Sequence, residues 1–169
     1  MNEPTSLKLR RPKGFGLLEI VIASAIVSIT LFSLSFVFVL SGRLEAQSIG
    51  KVRANFLAEE GLEAMRFLRD KGWGANLAPL AAGTNYYLSF ATSTADWSVG
   101  TAYPGFIDGL FHRRITVEAV NRDGSDDIVT SGGALDPNTK KINIEVSWYG
   151  QGATTTATLS TYLSDVFNN

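Results

Sequence analysis

Hydrophobic and polar positions follow three successive patterns along this chain. From Ile20 to Gly42 no charged side chain interrupts an apolar run rich in Ile, Val, Leu and Phe. As a helix rising 1.5 Å per residue, that run spans roughly 35 Å, enough to cross a bilayer core of about 30 Å. From Ala46 to Lys71 the apolar residues thin out but keep helical spacing. Val52, Phe56, Leu57, Leu62, Met65 and Leu68 share one broad stripe, with Arg53, Glu59, Glu60, Glu63 and Arg69 largely away from it. Arg66 and Asp70 stand four apart, where opposite charges meet on a helix, and Lys71 followed by Gly72 predicts its end. Unbroken from Phe15 to Lys71, the helix would be about 85 Å long. A stripe that leaves the membrane must be covered, and the remainder of the chain can supply the cover.

The third pattern has period two. Ile115, Val117 and Ala119 alternate with Arg114, Thr116 and Glu118 in a strand predicted over Arg113 to Asn121. A turn follows at Asn121-Arg122-Asp123-Gly124. Ile142, Ile144, Val146 and Trp148 alternate with Lys141, Asn143, Glu145 and Ser147, the clearest half-buried strand in the chain. Gly150-Gln151-Gly152 can then reverse it into Thr154 to Leu163, where Ala157, Leu159, Thr161 and Leu163 share a face. Between helix and strands, Trp73 to Gly109 is rich in Gly and reads as a long connection with one or two short strands, Tyr86 to Phe90 foremost. Antiparallel strands with one apolar face, laid over one helix, make an α+β unit.

Charge sharpens this picture. Lys8, Arg10, Arg11 and Lys13 against Glu3 give residues 1 to 14 a net +3, leaving −4 for the rest of a chain whose net charge is −1. With Pro4 and Pro12 and no apolar periodicity, those residues read as an unstructured leader. Basic residues ahead of a span stay in the cytoplasm, so the β-rich body is expected outside, and their charge holds the leader against anionic lipid. The overall balance gives no footprint for nucleic acid. Without cysteine there are no disulfides or thiolate metal sites, and the lone His112, at the start of a strand, leaves no triad. No catalytic constellation emerges.

One carboxylate, Glu19, sits just inside the apolar run, where an acid is costly and asks for a partner. Its setting is Lys13-Gly14-Phe15-Gly16-Leu17-Leu18-Glu19. A plain secretory signal or signal anchor also has basic residues before an apolar stretch, but the apolar region of a secretory signal is short and ends in a small-residue cleavage motif, and an ordinary anchor has no need of an acid at its start. The motif resembles the N-terminal signal of type IV prepilins and the related type II secretion pseudopilins.

That resemblance implies cleavage between Gly14 and Phe15 by a membrane-embedded prepilin peptidase, N-methylation of Phe15, and a charge pair between Glu19 and the Phe15 amine of an adjacent subunit. It implies a structural rather than enzymatic role, in a helical filament of like subunits built by an inner-membrane platform and ATPase. Such filaments serve as pili in adhesion, or in protein secretion. Many major pilins carry a helix-loosening proline at the twenty-second mature position. Here that position is Phe36, which points towards a minor pilin or pseudopilin. Leu57-Ala58-Glu59-Glu60-Gly61-Leu62-Glu63-Ala64 is similar to the helix of PilV-like minor pilins and of the pseudopilin called subunit I.

The expected organisation is therefore a leader over 1–14, a membrane or filament-core helix over 15–42, its amphipathic continuation over 43–72 and a β-rich headgroup over 73–169. Two features stay open. Trp73, Tyr86, Tyr87, Trp97, Tyr103 and Phe106 crowd the connection, where they either pack it down or stack on a ligand. Asp123, Asp126 and Asp127 around Gly124 are oxygen ligands of the kind calcium takes, or simply a solvated acidic turn; no other cofactor is expected. The alternative function is a single-pass anchored, extracytoplasmic ligand-binding domain that never polymerises.

Overall fold

The computed structural model describes residues 16–150 and 152–167. One long helix, α1 (Leu17–Lys71), opens the fold, and six strands follow: β1 (Asn85–Ala91), β2 (Asp96–Gly100), β3 (Phe111–Arg122), β4 (Ile128–Val129), β5 (Ala134–Gly150) and β6 (Ala153–Ser164). A single helical turn, α2 (Trp73–Asn76), comes directly after α1. The chain divides into two compact units, one up to Leu44 and one from Glu45 onward.

In the first unit the side chains of α1 face outwards all round, and its most apolar stretch has a mean hydropathy of 2.4 with none of it buried. By length and composition it can cross a membrane as a single-pass anchor. Its hydroxyls turn back on their own helix: Ser24 Oγ donates to the Val21 carbonyl at 2.9 Å, Ser28 to Ser24 at 2.7 Å and Ser35 to Leu31 at 2.9 Å. Each of these three hydroxyls is thereby satisfied within an apolar surround.

In the second unit the rest of α1 packs on an antiparallel sheet ordered β2-β1-β3-β5-β6, with β4 pairing β3. Cross-strand partners Phe111 and Trp148, Ile115 and Ile144, and Val117 and Ile142 all point at the helix, with β1 adding Tyr86 and Leu88 and β6 adding Leu163. The period-two reading of β3, β5 and β6 holds, with each strand longer than expected. One position departs from it: Ala119 is exposed and Val120 buried. Ala119 pairs with Lys140 but Val120 pairs with Asp136, so Pro137, Asn138 and Thr139 bulge out of β5 and reset which β3 residues face the core.

The seam of α1 also differs from the expected stripe. Leu62, Met65 and Leu68 are buried, but beside them lie Ala54, Ala58, Gly61 and Ala64, while Val52 and Phe56 face away at 51% and 65% exposure. Small residues let helix and sheet approach closely. A Cβ on Gly61 would lie 3.1 Å from Arg113 Cδ and 3.2 Å from Ile144 Cγ2. The charged residues pair locally: Arg66 reaches Glu63, and Arg69 donates to Asp70 at 2.7 Å. The helix closes with the Gly72 amide bonding back to Leu68 at 3.3 Å and Arg69 at 3.2 Å.

Candidate functional site

Lys8, Arg10, Arg11, Lys13, Gly14 and Phe15 lie outside the described residues. Glu19 is described. It stands in the first turn of α1, where its amide donates to the Gly16 carbonyl at 2.9 Å. The side chain is exposed among Leu18, Ile22, Ala23 and Ile26. The positive end of the helix dipole favours an acid in that turn. Along the chain the next charge is Arg43, beyond the whole apolar run. The arrangement offers an acceptor in an apolar setting, able to receive a cation brought by another chain.

In the second unit the largest surprise is Arg113. It occupies a core-facing position of β3, between Phe111 and Ile115, and is buried to 8% exposure. Its Nη1 donates to the Leu57 carbonyl at 3.0 Å and lies 3.4 Å from Glu60, and its guanidinium sits 5.6 Å from the centre of the Trp97 ring. Burial lowers its pKa below the ordinary arginine value, and the charge and hydrogen bond of Glu60 act against that. The signal in the sequence was parity, since Arg113 falls in step with Ile115 and Val117. A second cation, Lys140, donates to the carbonyls of Ala78 at 2.7 Å and Leu80 at 2.6 Å, fastening the connection after α2 to the sheet. Burial lowers its pKa as well.

The outer face of the sheet is polar and cross-linked. Arg114 donates to Glu145 at 2.8 Å, Asn143 to Glu118 at 2.5 Å, Lys141 to Glu118 at 3.1 Å and Ser160 to Asn143 at 2.7 Å. Arg122 bonds Asp136 at 2.7 Å and the carbonyl of Asp126 at 2.7 Å. That bond holds the Asp136 carboxyl below the usual range, helped by Thr139 and Asn138.

The connection's aromatics divide into two sets. Trp73 and Tyr86 are core, and Trp97 packs against it. Tyr87, Tyr103 and Phe106 instead gather round His112, Tyr103 with its ring 5.0 Å away, on the other side of the sheet. In the acidic turn the Asp123 carboxylate accepts the amides of Ser125 at 2.9 Å and Asp127 at 3.0 Å, and Asp126 lies 3.6 Å from Arg122. These groups close the β3–β4 turn on itself. Among the described residues no group of three or more acidic or histidine side chains is placed to hold a metal ion.

No known protein family, curated protein or solved structure matches the chain.

Proposed function

We propose that this chain is a structural subunit of the type IV pilin and type II secretion pseudopilin class, of the minor pilin or pseudopilin kind. The observation that carries the reading is the string Lys13-Gly14-Phe15 with Glu19, set at the head of a helix that is first wholly apolar and then covered by an antiparallel sheet. Its partners are a prepilin peptidase, the lipid of the inner membrane before assembly, neighbouring subunits, and a platform and ATPase that supply the work of extraction. The leader stays in the cytoplasm and the headgroup outside, the direction set by Lys8, Arg10, Arg11 and Lys13.

Processing explains the lone acid. Hydrolysis of the Gly14–Phe15 peptide bond converts an uncharged amide nitrogen into an amine that is cationic at neutral pH, and N-methylation keeps that charge. Glu19 is the acceptor available to it in the apolar segment. Mass spectrometry of the mature chain tests this directly, with N-methyl-Phe15 as the expected first residue. Gly14→Leu should leave the leader attached, because the peptidase requires a residue without a side chain there. An intact leader on exported wild-type protein, or normal trimming of the variant, would leave the non-polymerising membrane anchor as the better reading.

A further inference from the structure

At one end of the second unit the first turns of α1 beyond Glu45 lie against the start of β3 and the end of β5. There Ala46, Gly50, Lys51, Leu110, Trp148 and Tyr149 line an open groove of about 360 Å³. Gly50 makes room for the indole, since a Cβ there would lie 2.9 Å from Trp148 Nε1. Tyr149 on the rim is 66% exposed and Leu110 43%.

Three observations choose the occupant. The first is the tether: Ala46 is four residues and Gly50 eight residues beyond Gly42, about 6 and 12 Å of helix. Chain connectivity alone keeps Ala46 and Gly50 within those distances of Gly42. The polar zone of a bilayer adds about 5 to 8 Å on each side of its hydrocarbon core, so Ala46 falls within it and Gly50 about 4 Å beyond, a gap that a long side chain such as Lys51 can cross. The second is chemistry: Trp148 is buried at 7% exposure, but the open ring of Tyr149, with one apolar and one polar edge, suits that zone. The third is charge. Asp123, Asp126, Asp127 and Asp165 belong to the opposite end of the sheet, at the far ends of β3 and β6. At the groove Lys51 lines the wall, Glu45 stands one residue before Ala46 between Arg43 and Lys51, and Asp108 nearby is paired with Arg53 at 2.6 Å.

We propose that this groove end of the second unit rests in the headgroup layer of the bilayer that α1 enters, with Tyr149 and Leu110 immersed and Lys51 meeting lipid phosphate. The proposal rests on α1 crossing a membrane and is independent of whether the chain polymerises.

The chain has no cysteine, so single substitutions give unique labelling sites. Phe32→Cys, Leu110→Cys, Tyr149→Cys and Ser125→Cys, each carrying a nitroxide, would be placed in vesicles of phosphatidylethanolamine and phosphatidylglycerol with the full chain. Relaxation by oxygen against a water-soluble nickel complex reads depth. The expected result is residue 32 deep in the hydrocarbon, residues 110 and 149 shifted clearly towards oxygen, and residue 125 in water. Residue 32 in lipid with either 110 or 149 reading like 125 overturns the proposal alone. Residue 32 in water overturns the membrane span on which it rests.

Discussion

At Asp136 one hydrogen bond links pH to the fold. Its side chain is 15% exposed and accepts from Arg122, which also holds the Asp126 carbonyl. A carboxyl whose pKa is lower in the folded than in the unfolded state stabilises the fold fully above the unfolded value, and loses that contribution as pH falls through the folded one. Asp136→Asn should therefore flatten the loss of stability below about pH 4, the ordinary aspartate range. Glu118 is also held low, by Lys141 first and then Asn143, but it is half exposed and screened by water. Glu118→Gln should change the acid limb less. Denaturant unfolding at neutral and acid pH measures both, and an unaltered limb in Asp136→Asn would show that the Arg122 bond is not made in solution. The bulge that brings Asp136 opposite Val120 could not be foreseen from alternation alone, because Pro137-Asn138-Thr139 reads equally as a turn before a strand.

For whole elements, legibility followed the cause of each element's order. β3, β5 and β6 are fixed by one buried face, so alternation revealed them, and the end of α1 was marked by Lys71-Gly72. The α+β architecture followed from these patterns. β2 and α2 were not separately legible, because the Gly-rich connection that holds them carries no periodicity. The packed face of α1 was half legible. A stripe drawn through large apolar residues includes Val52 and Phe56, yet the close approach of the sheet selects Ala54, Ala58, Gly61 and Ala64 beside Leu62, Met65 and Leu68. Arg113 went unnoticed because a buried cation contradicts hydrophobic patterning and is tolerable only with partners such as the Leu57 carbonyl, Glu60 and the Trp97 face. Paired substitutions on α1 check the seam. Leu62→Asp places an unpaired charge in the core and should cost more than about 3 kcal/mol, whereas Phe56→Asp on the outer side should stay within about 0.5 kcal/mol. Unfolding of the full chain in detergent, followed by tryptophan fluorescence, reads both; equal effects would mean that the sheet does not cover the Leu62 side.

For the whole molecule, the two units answer different solvents, and Glu19 is where their requirements meet a third. In a simple anchor lying in lipid, a carboxylate in the first turn of α1 can extend to the headgroups, so Glu19→Val should be harmless or strengthen retention. In the proposed filament the same residue is enclosed by neighbouring apolar helices. On that proposal it is the acceptor for the Phe15 amine, which cleavage would have made cationic. Removing one partner of a buried ion pair costs about 3 to 5 kcal/mol because the other remains charged and unpaired. A loss of that size at each subunit contact would deplete the variant from filaments while leaving insertion and cleavage intact. N-terminal mass and an immunoblot of sheared filaments against membranes score these steps separately, in cells without a wild-type copy. The expected phenotype is a chain trimmed at Gly14 and retained in the membrane fraction. If Glu19→Val reaches the sheared fraction as well as wild type does, charge pairing does not drive this chain's assembly. The anchor reading gains instead if wild type itself is absent from the sheared fraction.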